Sequence, residues 1–312
     1  MEYTTISTAG MNFESWMYER KKGLTGTDIP AIFGFDKYKS AMDVYLDKTT
    51  DYISTSENEA TWLGKTLEDS LAVRFQQQTS MKVRRTNKIY VSKKYPWMRA
   101  NPDRILVSNG LERAGLEIKT ASPYLASEWE NGSTPLRYVL QACHYMICLG
   151  FRQYYIACEI LQKEFVIRKI EWDDELMEML ISEEEKFWNL VQKRQMPPAD
   201  GSKAFGQAIK ARYDHAVAGK VIKLEGFDER LKEWENISGM IADLDTRKRQ
   251  IEQEIQMEMG DNEKGLTDNY RINWSNVKSV RIDTTGLKSA YPEICKDFTK
   301  EVATRRFQIK AA

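Results

Sequence analysis

The sequence predicts an α+β fold: a central mixed β-sheet flanked by helices, followed by a mainly helical C-terminal extension. Three observations predict it. Strand-like segments occur at 82–91, 98–107 and 113–120, separated by the turn signals Lys94-Tyr95-Pro96 and Ser108-Asn109-Gly110. Helical patterns bracket them at 59–78 and 135–149. A long helical pattern at 227–259 follows the break Pro197-Pro198-Ala199-Asp200-Gly201, which divides the chain into a core of 1–200 and an extension of 201–312.

Each element has its own signal. Phe13–Arg20 reads as a short helix ending in the basic cluster Arg20-Lys21-Lys22. Gly23 to Asp28 is a loop entering a second helix, with Thr27 or Asp28 as N-cap and Pro30 in the first turn. Ala41–Lys48 reads as helix. Between Glu59 and Gln78 the residues Trp62, Leu63, Leu67, Leu71 and Phe75 recur at helical spacing. The three strands that follow form a meander. Pro135 opens a helix that Gly150 stops, Gln153–Ile160 and Glu164–Ile170 are strands, and Asp173 caps a helix reaching Gln195. In the extension, Leu231, Trp234, Ile237, Ile241, Leu244, Ile251 and Ile255 fall largely at 3–4 spacing, interrupted by Lys248. Packing within the chain is the expectation for this helix, with a helical hairpin or a coiled-coil arm as alternatives. Tyr270–Asp283, turning at Ser275-Asn276, suggests a hairpin, and Arg305–Lys310 a terminal strand.

Composition excludes several classes. No run of 18 uncharged apolar residues is present, so no membrane span is expected, and the N-terminus has no signal-peptide pattern. These features point to the cytosol. The four cysteines form no C-x-x-C pair and the chain has only two histidines, which argues against zinc and against histidine-based catalysis. Net charge is zero but unevenly spread: Met81–Arg104 holds eight Lys or Arg and one acid, whereas Glu171–Glu185 holds eight acids and no Lys or Arg. A basic face around Asp103 and an acidic face elsewhere follow.

Carboxylate chemistry remains. Glu117 and Lys119 are two apart on a strand and project to the same face, while Leu116 and Ile118 point to the other. A neighbouring strand brings Asp103 beside them. Two carboxylates and an ammonium converging on one spot form a hard oxygen site for magnesium, with a cation next to an attacking water. An ordinary cross-face ion pair is the competing explanation of Glu-x-Lys alone. Gln141 and Tyr145, four apart, share a face of the next helix.

Five segments in order resemble the motifs of the YqaJ-like viral recombinase and phage lambda exonuclease family of the PD-(D/E)XK nuclease superfamily. They are Leu24-Thr25-Gly26-Thr27-Asp28, Leu63-Gly64-Lys65-Thr66-Leu67-Glu68, Asn101-Pro102-Asp103, Gly115-Leu116-Glu117-Ile118-Lys119 and Gln141-Ala142-Cys143-His144-Tyr145-Met146. The resemblance covers roughly residues 12–195 and implies a restriction-endonuclease-like α/β core. It implies that Asp103 and Glu117 ligate Mg²⁺, with the Ile118 carbonyl as a further ligand, Glu68 supporting a second ion, and Mn²⁺ as a substitute. Lys119 would orient and help deprotonate the attacking water; Gln141 and Tyr145 would position the lysine, a water or the phosphate. Arg20 and Thr27 resemble the residues that hold a terminal 5′-phosphate, and Asn101 stands where some relatives supply a serine to it.

The activity implied is a Mg²⁺-dependent exonuclease acting 5′ to 3′ on linear double-stranded DNA. Its 3′ overhangs would pass to a single-strand annealing protein for phage-type homologous recombination. A homotrimeric ring around DNA, and action in a bacterial host cytosol with a phage or prophage origin, are implied in the same way. An endonuclease of the same fold and a non-catalytic DNA-binding or recruitment module are the alternatives. The chain departs from the family pattern at Thr27, which replaces a serine, and at Cys143, which replaces a second glutamine. The segment after 200 is additional, and oligomer contacts, DNA guidance and partner docking stay open for it.

Overall fold

The computed structural model describes residues 2–51, 59–301 and 304–310. They form two compact units, Met1–Asp214 and His215–Ala312. The first contains β1 (Tyr3–Ser7), α1 (Phe13–Lys21), β2 (Leu24–Thr25), α2 (Ile29–Ile32), α3 (Ala41–Thr49) and α4 (Glu59–Thr79). The strands β3 (Val83–Arg84), β4 (Lys88–Ser92), β5 (Met98–Ala100), β6 (Arg104–Ser108) and β7 (Leu111–Ala121) follow. A 3₁₀ segment at Pro123–Gly132, α5 (Leu136–Leu149), β8 (Gln153–Ile160), β9 (Glu164–Glu171), α6 (Asp174–Gln192) and α7 (Lys203–Arg212) complete it.

The expected mixed sheet flanked by helices is present as a five-stranded sheet of order β3-β6-β7-β8-β9, in which only β7 and β8 run parallel. Strand alternation divides β7 between the two faces of this sheet. Ala114, Leu116 and Ile118 join Leu71, Ala72 and Phe75 of α4 in one apolar cluster. Tyr154, Ile156, Cys158 and Ile160 of β8 face the other way, into the larger core that contains α5. Gly115 is needed on that second face, because a Cβ there would lie 2.1 Å from the Tyr154 ring. Burial pushes the thiols of Cys143, Cys148 and Cys158 up to about 12, so all three stay protonated and inert.

The meander differs from expectation in one instructive way. Both of its first two strands break, and their halves enter different sheets. β3 and β6 join the five-stranded sheet, whereas β4 and β5 join a second sheet of order β1-β4-β5-β2. The break in 98–107 falls at Asn101-Pro102-Asp103, where Pro102 has no N–H to give a ladder. The break in 82–91 falls before Asn87, whose φ of 49° leaves the strand region.

Helix ends follow their signals. Pro135 is the N-cap residue of α5 and Gly150 ends it in the left-handed conformation; the Asp173 side chain caps α6. Asp28 is the N-cap residue of α2, but its carboxylate makes no cap bond. Arg194, at φ 56°, turns the chain out of α6 before Gln195.

The second unit contains α8 (Asp228–Met259), the hairpin β10 (Lys264–Leu266) and β11 (Arg271–Asn273), α9 (Thr284–Ala290) and α10 (Pro292–Asp297). The hairpin turns at 267–270, several residues before the Ser275-Asn276 turn that the sequence suggested. Residues 304–310 are not a strand. No helix among the described residues is long and apolar enough to cross a membrane.

Candidate active site

The site forms where β6 begins. Arg104 pairs with Leu116, and beyond it β6 departs from β7 at Asp103. The Ile118 N–H, left without a β6 carbonyl, donates instead to Asp103 Oδ2 at 2.8 Å. This bond places the Asp103 carboxylate against the stretch of β7 that projects Glu117 and Lys119. Lys119 Nζ donates to Glu117 Oε1 at 2.7 Å and lies 5.3 Å from the centre of the Tyr138 ring. From α5, Gln141 Nε2 donates to the same Glu117 oxygen at 2.6 Å and lies 3.5 Å from the Tyr145 hydroxyl.

The other carboxylate oxygen, Glu117 Oε2, is buried and has no hydrogen-bond partner. The Tyr154 hydroxyl is buried near Glu117 but makes no hydrogen bond of good geometry; burial, then the Glu117 charge, and more weakly a side-chain contact with Glu117, push its pKa well above the usual phenol range. Burial, and next the Glu117 charge, push the Asp103 carboxyl well above the usual carboxylate range. Burial would lower the Lys119 pKa, but Glu117 and Asp103 more than reverse this and hold the ammonium protonated. Burial, then Glu117, likewise raise the Tyr145 phenol, so it stays neutral.

Such a donor set fits a hard divalent cation. An unpartnered buried carboxylate oxygen beside a second carboxyl, itself held from ionising by its neighbour, is short of positive charge. Among the described residues no three acidic, histidine or cysteine side chains converge as a ready-made cluster. Glu68 explains why. Its Oε1 accepts from Arg104 Nη1, and from Arg85 Nη2 at 2.8 Å. Buried Arg104 also donates to the Asp103 carbonyl at 2.6 Å and to Asp69. Glu68 therefore borders the same cleft of about 370 Å³ as Asp103, with its charge directed to arginines. Asn101 lines this cleft too, and its amide donates to the Lys88 carbonyl.

Arg20 and Thr27 meet at the loop that packs against Gln141 and Tyr145. Arg20 Nη2 donates to Thr27 Oγ1 at 2.9 Å and to Thr25 Oγ1 at 3.2 Å, and its guanidinium lies 4.5 Å from the centre of the Trp16 ring. Buried Asp28 anchors the loop. It accepts from Thr25 Oγ1 at 2.9 Å and pairs with Lys39 and Lys48 at 2.7 and 2.8 Å. Burial opposes its charge, but the two lysines hold its carboxyl well below the usual range. Gly26 lets this loop touch α5, since a Cβ would lie 2.6 Å from Tyr145 and 2.8 Å from Gln141. The structure thus joins Arg20, Thr27, Gln141, Tyr145, Glu117, Lys119 and Asp103 in one continuous arrangement. Glu68 and Asn101 join it only through Asp103, whose cleft they share. Sequence reasoning missed Arg104 and Arg85, and it read Asp28 as an N-cap candidate and motif residue without its ion pairs to Lys39 and Lys48; the position of Arg104 directly after Asp103 was the one available signal for it.

The model of the YqaJ-like viral recombinase domain matches residues 15–152. The protein YqaJ of Bacillus subtilis (strain 168) is 38% identical over 305 residues, covering 96% of this chain and 95% of that one. The alkaline exonuclease of Laribacter hongkongensis, solved with dAMP, has a TM-score of 0.50 at 18% identity. The match covers 58% of this chain and 93% of that one, and shows the fold. A phage-related exonuclease from Haemophilus somnus 129PT matches at a TM-score of 0.42 and 12% identity, over 55% of this chain and 96% of that one.

Proposed function

The chain belongs to the YqaJ-like viral recombinase family, and on that premise we propose that it is a divalent-metal-dependent deoxyribonuclease working from the 5′ ends of linear duplex DNA. The unpartnered Glu117 oxygen beside Asp103 carries this reading. Asp103 and Glu117, with the Ile118 carbonyl, would hold Mg²⁺ or Mn²⁺, and Glu68 would support a second ion across the cleft. Such an ion, when bound, neutralises the carboxylates and polarises water and phosphoryl oxygens.

The chain's own groups do the rest. Lys119, held by Glu117, would orient and help deprotonate an attacking water and steady the growing phosphoryl charge. Gln141 fixes the Glu117 oxygen that Lys119 also uses, and so sets the angle between the carboxylate and the ammonium. Arg20 with the Thr25 and Thr27 hydroxyls offers charge-assisted donors to a terminal 5′-phosphate. The products would be 3′ overhangs for a single-strand annealing protein in the cytosol of a bacterial host, and the enzyme would work as a trimer.

Duplexes labelled on one strand, with 5′-phosphate or 5′-hydroxyl ends, test the polarity. Loss of the 5′-terminal label as mononucleotide supports it. Loss from the 3′ end, or cutting of a closed circle, overturns it. Arg20→Ala is expected to reduce the preference for 5′-phosphorylated over 5′-hydroxyl ends by about 10–100-fold, the loss of one charge-assisted bond of ~1.5–3 kcal/mol. Turnover on 5′-hydroxyl ends should be unchanged, as measured by kcat/KM on the two substrates.

A further inference from the structure

Helix α8 runs for 32 residues, and none of its side chains before Met259 is buried. Trp234, Ile237, Ile241, Leu244, Ile251 and Ile255 are 38–61% exposed. They follow a seven-residue repeat, with Trp234, Ile241, Lys248 and Ile255 at its first position (a) and Ile237, Leu244 and Ile251 at its fourth (d). A straight helix drifts by ~20° per heptad against such a repeat, so a stripe kept in this register suits a supercoiled partner better than a globular surface. The other long helices, α4 and α6, each bury an apolar face in the core of the first unit. Within the second unit, α9 and α10 have only seven and six residues. The described helix whose length and repeat match α8 is another α8.

Charge selects the orientation. With two copies parallel and in register, Arg247 faces the partner's Glu252 and no like charges meet across the remaining flanking positions; Lys248 meets its own copy at the a position, where Glu252 of the same helix offsets its charge. Antiparallel pairing sets either Arg247 and Asp245 each against its own copy, or Glu233 against Glu254. Lys248, the single charged residue in the stripe, lies 3.7 Å from Glu252 and fixes the register at some loss of stability. At ~100 Å² per apolar side chain the stripe offers about 600 Å² on each copy, near the ~800 Å² of a standard interface.

We propose that α8 is a self-association element through which copies of this chain join as a parallel coiled coil. The proposal does not depend on the nuclease reading. Full-length Leu244→Cys and Glu235→Cys, each in a Cys295→Ser background, test it by mild oxidation. Leu244→Cys is expected to form a linked pair, whereas Glu235→Cys, on the outer face of the helix, is not. Ile241→Asp with Leu244→Asp is expected to lower the mass by light scattering, with the circular dichroism of the folded core retained. No Leu244→Cys cross-link together with an unchanged mass in the double variant would overturn the proposal. So would linkage of Leu244→Cys only to a Lys248→Cys copy, which marks antiparallel pairing. A single-copy mass, with α8 protected only when an annealing protein is added, would assign the stripe to a different partner and overturn it too.

Discussion

Asp103→Asn is expected to abolish DNA hydrolysis while making the chain more stable. Asp103 sits beside Glu117, and burial and that neighbouring charge both oppose its ionisation. A carboxyl whose pKa rises on folding supports the fold fully only below its unfolded value of about 4, and the support is lost as pH rises through the folded value. Asparagine mimics the neutral form at every pH and keeps an acceptor for the Ile118 N–H. Thermal unfolding at neutral pH should therefore move up by about 2–4 °C, the equivalent of ~1 kcal/mol for a unit of this size. Hydrolysis should fall by about 10³-fold or more if the residue holds the cation as proposed. A stability gain with lost activity marks a side chain kept for function. A lower melting temperature would show instead that the Asp103 carboxylate is held for structure.

Glu184→Gln is expected to have the largest effect on stability. His144 and Glu184 are fully buried, with Nδ1 3.0 and 2.9 Å from the two Glu184 oxygens and Nε2 3.1 Å from the Arg99 carbonyl. Both neighbours are acceptors, so both ring nitrogens donate and the ring is an imidazolium. Burial would lower the His144 pKa, but Glu184 raises it further. Removing one charge of such a buried pair costs about 3–5 kcal/mol. The pH dependence follows from the raised value. The contribution is complete below the unfolded pKa of about 6.5 and is lost as pH rises through the folded pKa. Denaturant titrations should show wild-type stability falling on the alkaline side and Glu184→Gln lacking that fall. Superimposable pH profiles would contradict the ion pair.

The legible parts of the fold were those with local signals. Pro135 and Gly150 bounded α5, and Asp173 capped α6, because capping chemistry acts within a few residues. Illegible was the division of the meander between two sheets, since which strand an edge pairs with depends on distant residues. The polar strand β1, Tyr3–Ser7, carries little apolar pattern and is recruited by β4. Strand alternation placed Glu117 and Lys119 on one face. It could not place Arg104, which reaches Glu68 and Asp69 across 36 and 35 residues of sequence. Nor could it show Gly26 as the contact that sets the Arg20 loop against Gln141 and Tyr145. Lys248 read as an interruption in the sequence, and the exposure of the whole stripe gives that interruption its meaning.

Release of acid-soluble nucleotide from linear duplex DNA by the purified chain, with Mg²⁺ or EDTA and with Lys119→Ala alongside, tests the central claim most directly. Release that requires Mg²⁺ and falls by about 10²–10⁴-fold in Lys119→Ala is the predicted result. DNA bound but uncut under every metal condition, or cleavage equal in Lys119→Ala and the wild type, would contradict it.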